Sequence, residues 1–275
     1  MNCSIMKCFL CPLLIILYIS AHAPVGATGP QTIERPEPEG ALAWFKQGVE
    51  LAQKGDYRSA LSRFERARNL APNWALPYLE IAVAHMVTDN DLEIIGSSLA
   101  KAVELGKDIP RAHYLYGIFH QERGKRRYAI KELTRALQLR PSLADARYRL
   151  ATLFIEEGRQ TDGIEQLQLL VKQKPAHVGA HRNLAVLFEQ SGRLEEAERH
   201  LQAISRLFPD VAYHQTRLGR FYRRVGWAAK ARAAFRKAER IESVRDDRNL
   251  RPLRKSRESR RRPDPMEIGN GSHDM

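Results

Sequence analysis

The sequence predicts an all-α protein in which one short helix pair is repeated in series. A glycine recurs at a spacing of 34 residues, at Gly124, Gly158, Gly192 and Gly226. Three prolines keep the same spacing, at Pro141, Pro175 and Pro209. A fixed period of this length is the signature of a repeat architecture. Because such arrays offer extended surfaces for partners, we expect a binding protein and not an enzyme.

The first 27 residues have the organisation of a secretory signal peptide. Lys7 is the only charged residue before Glu34, and an apolar stretch runs from residue 8 to residue 19. Small residues follow, and Ala27 is the preferred cleavage position. We therefore expect an exported protein, periplasmic or secreted. The apolar stretch is shorter than the ~20 residues that span a bilayer, although its extension to Ala27 leaves an uncleaved anchor at residues 8–27 as the alternative.

Residues 28–40 contain three prolines and two glycines, a composition that is typical of a linker. The three cysteines, Cys3, Cys8 and Cys11, all precede this segment. The rest of the chain therefore has no cysteine for a disulfide, a thiol nucleophile or a zinc site.

Further residues recur in step with the turn glycine, whose first copy is Gly55. A small residue stands seven positions before it, at Gly48, Gly117, Ala151, Ala185 and Gly219. A bulky apolar residue stands nine positions after it, at Phe64, Leu133, Leu167, Leu201 and Phe235. Because small residues let helix backbones approach and bulky ones fill the space between them, the spacing predicts two packed helices joined at the glycine.

These residues resemble the tetratricopeptide repeat. The first unit carries Trp44-x-x-Gln47-Gly48-x-x-Leu51, Gly55-Asp56-Tyr57, Ala60, Phe64, Ala67 and Pro72, and the sixth carries Leu218-Gly219-x-x-Tyr222, Gly226, Ala231, Phe235 and Ala238. We place repeats one to six at residues 41–74, 75–109, 110–143, 144–177, 178–211 and 212–245. The resemblance implies a right-handed superhelical solenoid of antiparallel helix pairs, with a concave groove lined by the first helix of each pair.

The second repeat departs from the pattern. It has one extra residue, and Thr88-Asp89-Asn90-Asp91 replaces the segment that holds the turn glycine elsewhere. We expect two helices there, joined by a longer and more mobile turn.

The geometry of the family predicts which side chains line the groove. The first two repeats contribute the apolar residues Phe45, Val49, Leu79, Val83 and Met86, and the middle and last repeats contribute Tyr114, Ile118, Tyr148, Thr152, Arg182, Glu189, Arg220, Arg223 and Arg224. We expect a protein or peptide partner with apolar and acidic parts. Some relatives bind chaperone carboxylates with lysines and asparagines, but the matching positions here are Phe45 and Val49, which excludes that clamp.

The net charge of +13 is concentrated at one end of the chain. Residues 217–262 hold 18 Lys and Arg against 5 Asp and Glu, which equals the whole surplus. We expect residues 246–275 to form a basic disordered tail, with cations at Arg251, Arg254, Lys255, Arg257, Arg260, Arg261 and Arg262. Three uses stay open for this tail: solubility, contact with anionic lipid or polymer, and nucleic acid, which export would place out of reach.

We find no sequence pattern for catalysis or for a cofactor. The chain lacks a phosphate-binding glycine loop and a Gly-x-Ser-x-Gly motif. The histidine pairs His177/His181 and His113/His120 do not supply the three or four ligands of a zinc site. We therefore predict a non-catalytic scaffold of the cell envelope or secretory space that docks a partner segment. The alternative is a structural component of an envelope secretion, pilus, exopolysaccharide or cytochrome-maturation assembly.

Overall fold

The computed structural model describes residues 39–259, and in this range it contains twelve α-helices and no strand. The helices form consecutive pairs: α1 (Glu39–Gln53) with α2 (Tyr57–Leu70), α3 (Ala75–Thr88) with α4 (Leu92–Leu105), α5 (Pro110–Glu122) with α6 (Arg126–Leu139), α7 (Ala144–Glu156) with α8 (Gln160–Gln173), α9 (Val178–Gln190) with α10 (Leu194–Leu207), and α11 (Ala212–Arg224) with α12 (Ala228–Ser259). The all-α fold class is confirmed. The predicted leader at residues 1–27 and most of the linker lie outside the described residues.

Three residues separate the two helices of each pair. The turn glycine has a left-handed backbone with φ between 68° and 84°, at Gly55, Gly124, Gly158, Gly192 and Gly226. Since a side chain disfavours this conformation, glycine ends one helix and lets the chain reverse into the next. The side chain of Asp56 then caps α2 by accepting a hydrogen bond from the backbone N–H of Ser59 at 3.1 Å.

The second repeat corrects our expectation of a longer turn. Residues 89–91 form a turn of three residues, as in the other repeats. Asn90 takes the left-handed conformation with φ 53°, and Asn tolerates this conformation better than other residues with side chains. The extra residue lengthens α3, which has 14 residues where α5, α7, α9 and α11 have 13.

The chain divides into two compact units, residues up to Arg159 and residues from Gln160 onward. In the first unit, Leu133, Leu150 and Leu153 belong to one buried cluster, and Ile95 and Leu99 belong to another. In the second unit the buried side chains come from every described helix, as at Leu167, Leu184, Phe188, Ile204 and Phe221. Most helices in each unit therefore bury one face against their neighbours and leave the other face to solvent, whereas α3, in which Ile81, Ala82, Val83, Ala84 and His85 are all buried, is covered on more sides.

The last helix extends further than the sequence predicted. We ended the array at residue 245 and expected disorder beyond it, whereas α12 continues to Ser259. No glycine or proline interrupts the chain between Ala228 and Arg251, so the helix propagates from the part whose Ala231, Ala234 and Ala238 are buried. Residues 260–275 of the predicted tail lie outside the described residues.

Among the helices of residues 39–259, none is both long enough and apolar enough to cross a bilayer.

Candidate functional site

In the first unit, side chains of successive first helices pair with one another. The guanidinium of Arg111 on α5 forms an ion pair with Glu80 on α3. Arg149 on α7 donates a hydrogen bond to the side-chain oxygen of Gln121 on α5 at 3.1 Å. The arginines of these helices are therefore already occupied within the unit.

The structure does not expose all of the groove residues that we predicted in this unit. Tyr114 is only 4% exposed and belongs to the core cluster around Leu133 and Leu150. Burial also raises the pKa of its hydroxyl. Leu79 and Val83 are likewise buried. We predicted these three residues to line the groove, but the structure buries them, because neighbouring helices cover that side of α3 and of α5.

The remaining predicted residues of the first unit are half-buried. Ile118 packs against the core cluster, and the hydroxyl of Thr152 donates to the carbonyl of Arg149 at 2.8 Å. The ring of Phe45 lies 4.7 Å from that of Trp74. Tyr148, Val49 and Met86 are also partly covered. These side chains contribute mainly to packing in this unit.

In the second unit, α11 presents a polar face with a cavity of about 280 Å³. Residues three or four positions apart on a helix share one face, and the cavity is lined by Tyr213, Thr216, Arg217, Arg220 and Arg224. Our prediction included Arg220 and Arg224 and missed the others. Their spacing on α11 was the available signal, since it places all five on one face.

Glu189 and Arg224 form a two-pronged ion pair between α9 and α11. Nε of Arg224 donates to Oε1 of Glu189 at 2.8 Å, and Nη2 donates to Oε2 at 2.8 Å. The two predicted groove residues therefore meet. Arg223 takes no part in this ion pair. Its guanidinium lies 5.9 Å from the centre of the Phe235 ring on α12.

Three other arginines on α9 and α11 are unpaired among the described residues. Arg182, Arg217 and Arg220 have no hydrogen bond or ion pair with any described residue. Burial, together with the positive charges of Arg182 and Arg217, lowers the pKa of His214. Arg217 stands three positions after His214 on α11, which puts the two side chains on one face of the helix. We call Arg182, Arg217 and Arg220 the arginine surface.

Sequence reasoning missed a side-chain hydrogen bond that recurs between successive repeats. The fourth residue of a first helix donates a hydrogen bond to the carbonyl six residues earlier, as His181 does to Pro175 at 2.9 Å. The same contact is made by Tyr78 to Pro72, His113 to Lys107 and Arg147 to Pro141. The signal was the 34-residue spacing of His113, Arg147 and His181.

This recurring hydrogen bond gives two of the histidines, His113 and His181, a structural role. His113 Nδ1 lies 2.6 Å from the carboxylate of Glu132, and both side chains are buried. His181 Nδ1 lies 2.9 Å from Nδ1 of His200. In the part of the chain that the structure describes, no three His, Cys, Asp or Glu side chains gather as they would around a metal ion.

Comparison with known proteins finds sequence matches to one family. Models of the tetratricopeptide repeat match residues 120–178 and 154–218. No curated protein matches the chain. Similar solved structures include a MamA protein, with 23% identity over 64% of this chain and 95% of that one and a TM-score of 0.55.

Two further solved structures share the fold. One is YrrB, described as a TPR protein with an unusual peptide-binding site, with 21% identity over 64% of this chain and 90% of that one and a TM-score of 0.55. The other is PilF of Pseudomonas aeruginosa, with 17% identity over 74% of this chain and 92% of that one and a TM-score of 0.57. At these identities the likeness concerns the fold alone.

Proposed function

Because the chain is a tetratricopeptide-repeat protein with about six repeats, we propose that it docks an acidic segment of a partner protein on the arginine surface of its last two repeats. Proteins of this fold are typically non-catalytic scaffolds for protein–protein interaction. The docking site, the acidic character of the partner and the cellular location are our additions to that general role.

The observation that carries this proposal is the contrast between paired and unpaired arginines on the first helices of the helix pairs. Arg111 and Arg149 are engaged within the first unit. Arg217 and Arg220 line a cavity and have no ion pair with the described residues of their surroundings. Guanidinium groups bind carboxylates through paired hydrogen bonds. A partner carboxylate would therefore find donors that the described part of the chain leaves free.

The charge around the site supports the same partner. Glu189 is the only acidic residue in the sequence of α9, and α11 has none. Since Glu189 is already bound to Arg224, the surface keeps a positive surplus. Such a surplus favours acidic segments and disfavours basic ones.

The test reverses the charge of two arginines in the full-length chain. We expect Arg217→Glu with Arg220→Glu to weaken the binding of a fluorescein-labelled, glutamate-rich peptide by about tenfold or more, as measured by fluorescence anisotropy. The matched control is Arg260→Glu with Arg261→Glu, which removes the same charge from the tail. Equal weakening by both pairs would mean unspecific attraction to a basic protein and would contradict the proposal. Circular dichroism checks that both variants stay folded.

We also propose that the protein acts outside the cytoplasm. The apolar stretch after Lys7 and the small residues up to Ala27 support an exported chain. Fractionation of cells, with N-terminal sequencing of the recovered protein, should find the chain outside the cytoplasm and beginning at residue 28. A chain in the membrane fraction with its leader intact would instead support an anchor at residues 8–27. Recovery from the cytoplasm would contradict both forms of the proposal.

A further inference from the structure

Exposed apolar side chains lie in the turn that precedes α11. Phe208 and Val211 are each 41% exposed, and Tyr213, on the first turn of α11, is 58% exposed. The backbone N–H of Val211 donates to the carbonyl of Phe208 at 3.2 Å, so both residues belong to one closed turn. Burial of such side chains against a partner is favourable. We call Phe208, Val211 and Tyr213 the apolar patch.

The apolar patch adjoins the arginine surface through His214. The imidazole centre lies 5.3 Å from the Phe208 ring and 5.5 Å from the Tyr213 ring. Arg217 follows His214 by three residues on α11, so the two side chains share a face of that helix. Tyr213 also lines the cavity with Arg217. The patch and the cations therefore form one continuous surface.

We propose that the partner segment carries a large apolar side chain directly beside its carboxylates. The apolar side chain packs on Phe208, Val211 and Tyr213, while the carboxylates pair with Arg217 and Arg220. This inference rests on the proposed function and makes it narrower: the recognised element is a short motif with adjacent apolar and acidic residues.

The surroundings favour a protein segment over a nucleic acid. RNA could place phosphates on arginines and stack a base on an aromatic ring. However, one of the three patch residues, Val211, is aliphatic and offers no ring on which a base could stack. Val211 offers an aliphatic contact that an apolar side chain fills well. RNA binding is kept as an outcome of the test.

The exposed apolar side chains that can contact the partner lie in a different part of the chain from the one that the sequence predicted. We expected it from repeats one and two, but Leu79 and Val83 are buried there. Phe208, Val211 and Tyr213 supply exposed apolar area within the same compact unit as the arginines. A separate, distant apolar anchor is therefore not required.

The first test compares labelled ligands of equal length on the full-length chain by fluorescence anisotropy. One peptide has phenylalanine and leucine beside glutamates, the second has serine in place of the apolar residues, and the third has glutamine in place of the glutamates. We expect the first to bind about tenfold more tightly than either of the others. Equal affinity of the first and second peptides overturns the inference, as does stronger binding of labelled oligouridine than of the first peptide.

The second test locates the apolar contact. Phe208→Ser with Val211→Ser should remove the advantage of the first peptide, and Tyr213→Ser, at the most exposed position, should reduce it even if the double variant fails to fold. The matched control is Leu92→Ser with Ile94→Ser, two exposed apolar residues in the first unit, and it should keep the full advantage. If the patch variants keep it too, the inference is wrong. The proposed function then still stands as long as Arg217→Glu with Arg220→Glu weakens the binding of both acidic peptides.

Discussion

At the scale of single residues, one asparagine takes the place of a glycine. Asn90 has φ 53°, and its backbone N–H donates to the carbonyl of His85 at 2.7 Å, which closes the end of α3. The turn glycines of the other repeats have the same left-handed backbone. The turn thus requires this backbone conformation, which either glycine or asparagine can adopt.

We predict that Asn90→Ala destabilises the protein while Asn90→Gly does not. Alanine in the left-handed region costs about 1–2 kcal/mol, whereas glycine adopts it freely. Urea denaturation measures the free energy of unfolding of both variants. Equal stability of the alanine and glycine variants would show that the turn does not require this backbone conformation.

A second residue-scale effect concerns the pair formed by the buried His181 and the half-buried His200. His181 Nε2 donates to the carbonyl of Pro175, and Nδ1 of His181 lies 2.9 Å from Nδ1 of His200, so one hydrogen is held between these two nitrogens. Burial, reinforced by the nearby His181 and Arg199, lowers the pKa of His200 to about 4. The folded protein therefore resists protonation of His200 at a pH where the unfolded chain accepts the proton.

We predict that stability falls as the pH decreases from about 6.5, the ordinary pKa of histidine, towards 4. Over this range the unfolded state binds a proton at His200 and the folded state does not, so unfolding becomes easier. Melting temperatures measured between pH 7 and pH 4 should show this decline, and His200→Gln should make it shallower. An identical slope in the variant would contradict the assignment to His200.

At the scale of elements, each helix pair depends on a close approach between its two helices. In the sixth repeat, a Cβ added at Gly219 would lie 2.9 Å from the Phe235 ring of the facing helix. The fifth repeat has Ala185 and Leu201 at the corresponding positions, and both are buried. In the sixth repeat a glycine thus faces a phenylalanine ring, and in the fifth repeat the slightly larger alanine faces a leucine.

We predict that Gly219→Ala lowers the free energy of unfolding by about 1–3 kcal/mol through overpacking against Phe235. The double variant Gly219→Ala, Phe235→Leu should recover part of this loss, because it reproduces the combination of the fifth repeat. Urea denaturation of the two single variants and the double variant gives the coupling energy. Additive losses would mean that the two residues do not constrain each other.

The ion pair between α9 and α11 has a consequence for binding. Glu189 occupies Arg224 in the free protein, and a partner carboxylate must compete with it. We predict that Glu189→Gln tightens the binding of the glutamate-rich peptide by about threefold, the size of a partly exposed ion pair. Glu195→Gln, at an exposed position on α10, is the control and should leave affinity unchanged. Weaker binding by the Glu189 variant would show that Glu189 orients Arg224 for the partner.

At the scale of the whole molecule, the charge surplus and the proposed binding surface belong to the same end of the chain. The 217–262 segment carries the entire net charge of +13. Arg217 and Arg220 lie in it, and so does the long helix α12. The field of this end can attract an acidic partner before any specific contact forms.

We predict that the affinity for the apolar-acidic peptide declines with salt but does not vanish. The Debye length shortens from about 10 Å at 0.1 M to about 3 Å at 1 M salt, which screens the exposed arginines. The apolar contact is not weakened in this way. Anisotropy titrations at both salt concentrations should therefore leave the apolar-acidic peptide bound more tightly than its serine counterpart at 1 M. Loss of that difference would contradict an apolar contribution.

The 34-residue period alone determined the helix pairs and the places of the turns that join them, because both follow from local backbone preferences that recur along the chain. It could not determine which side chains stay accessible. Tyr114 is buried and Tyr213 is exposed, although both lie near the start of a first helix. Arg224 is paired with Glu189 while Arg220, one turn earlier, is unpaired within the described chain. Only the packing of neighbouring helices decides these differences, since burial and pairing depend on residues that are distant in the sequence.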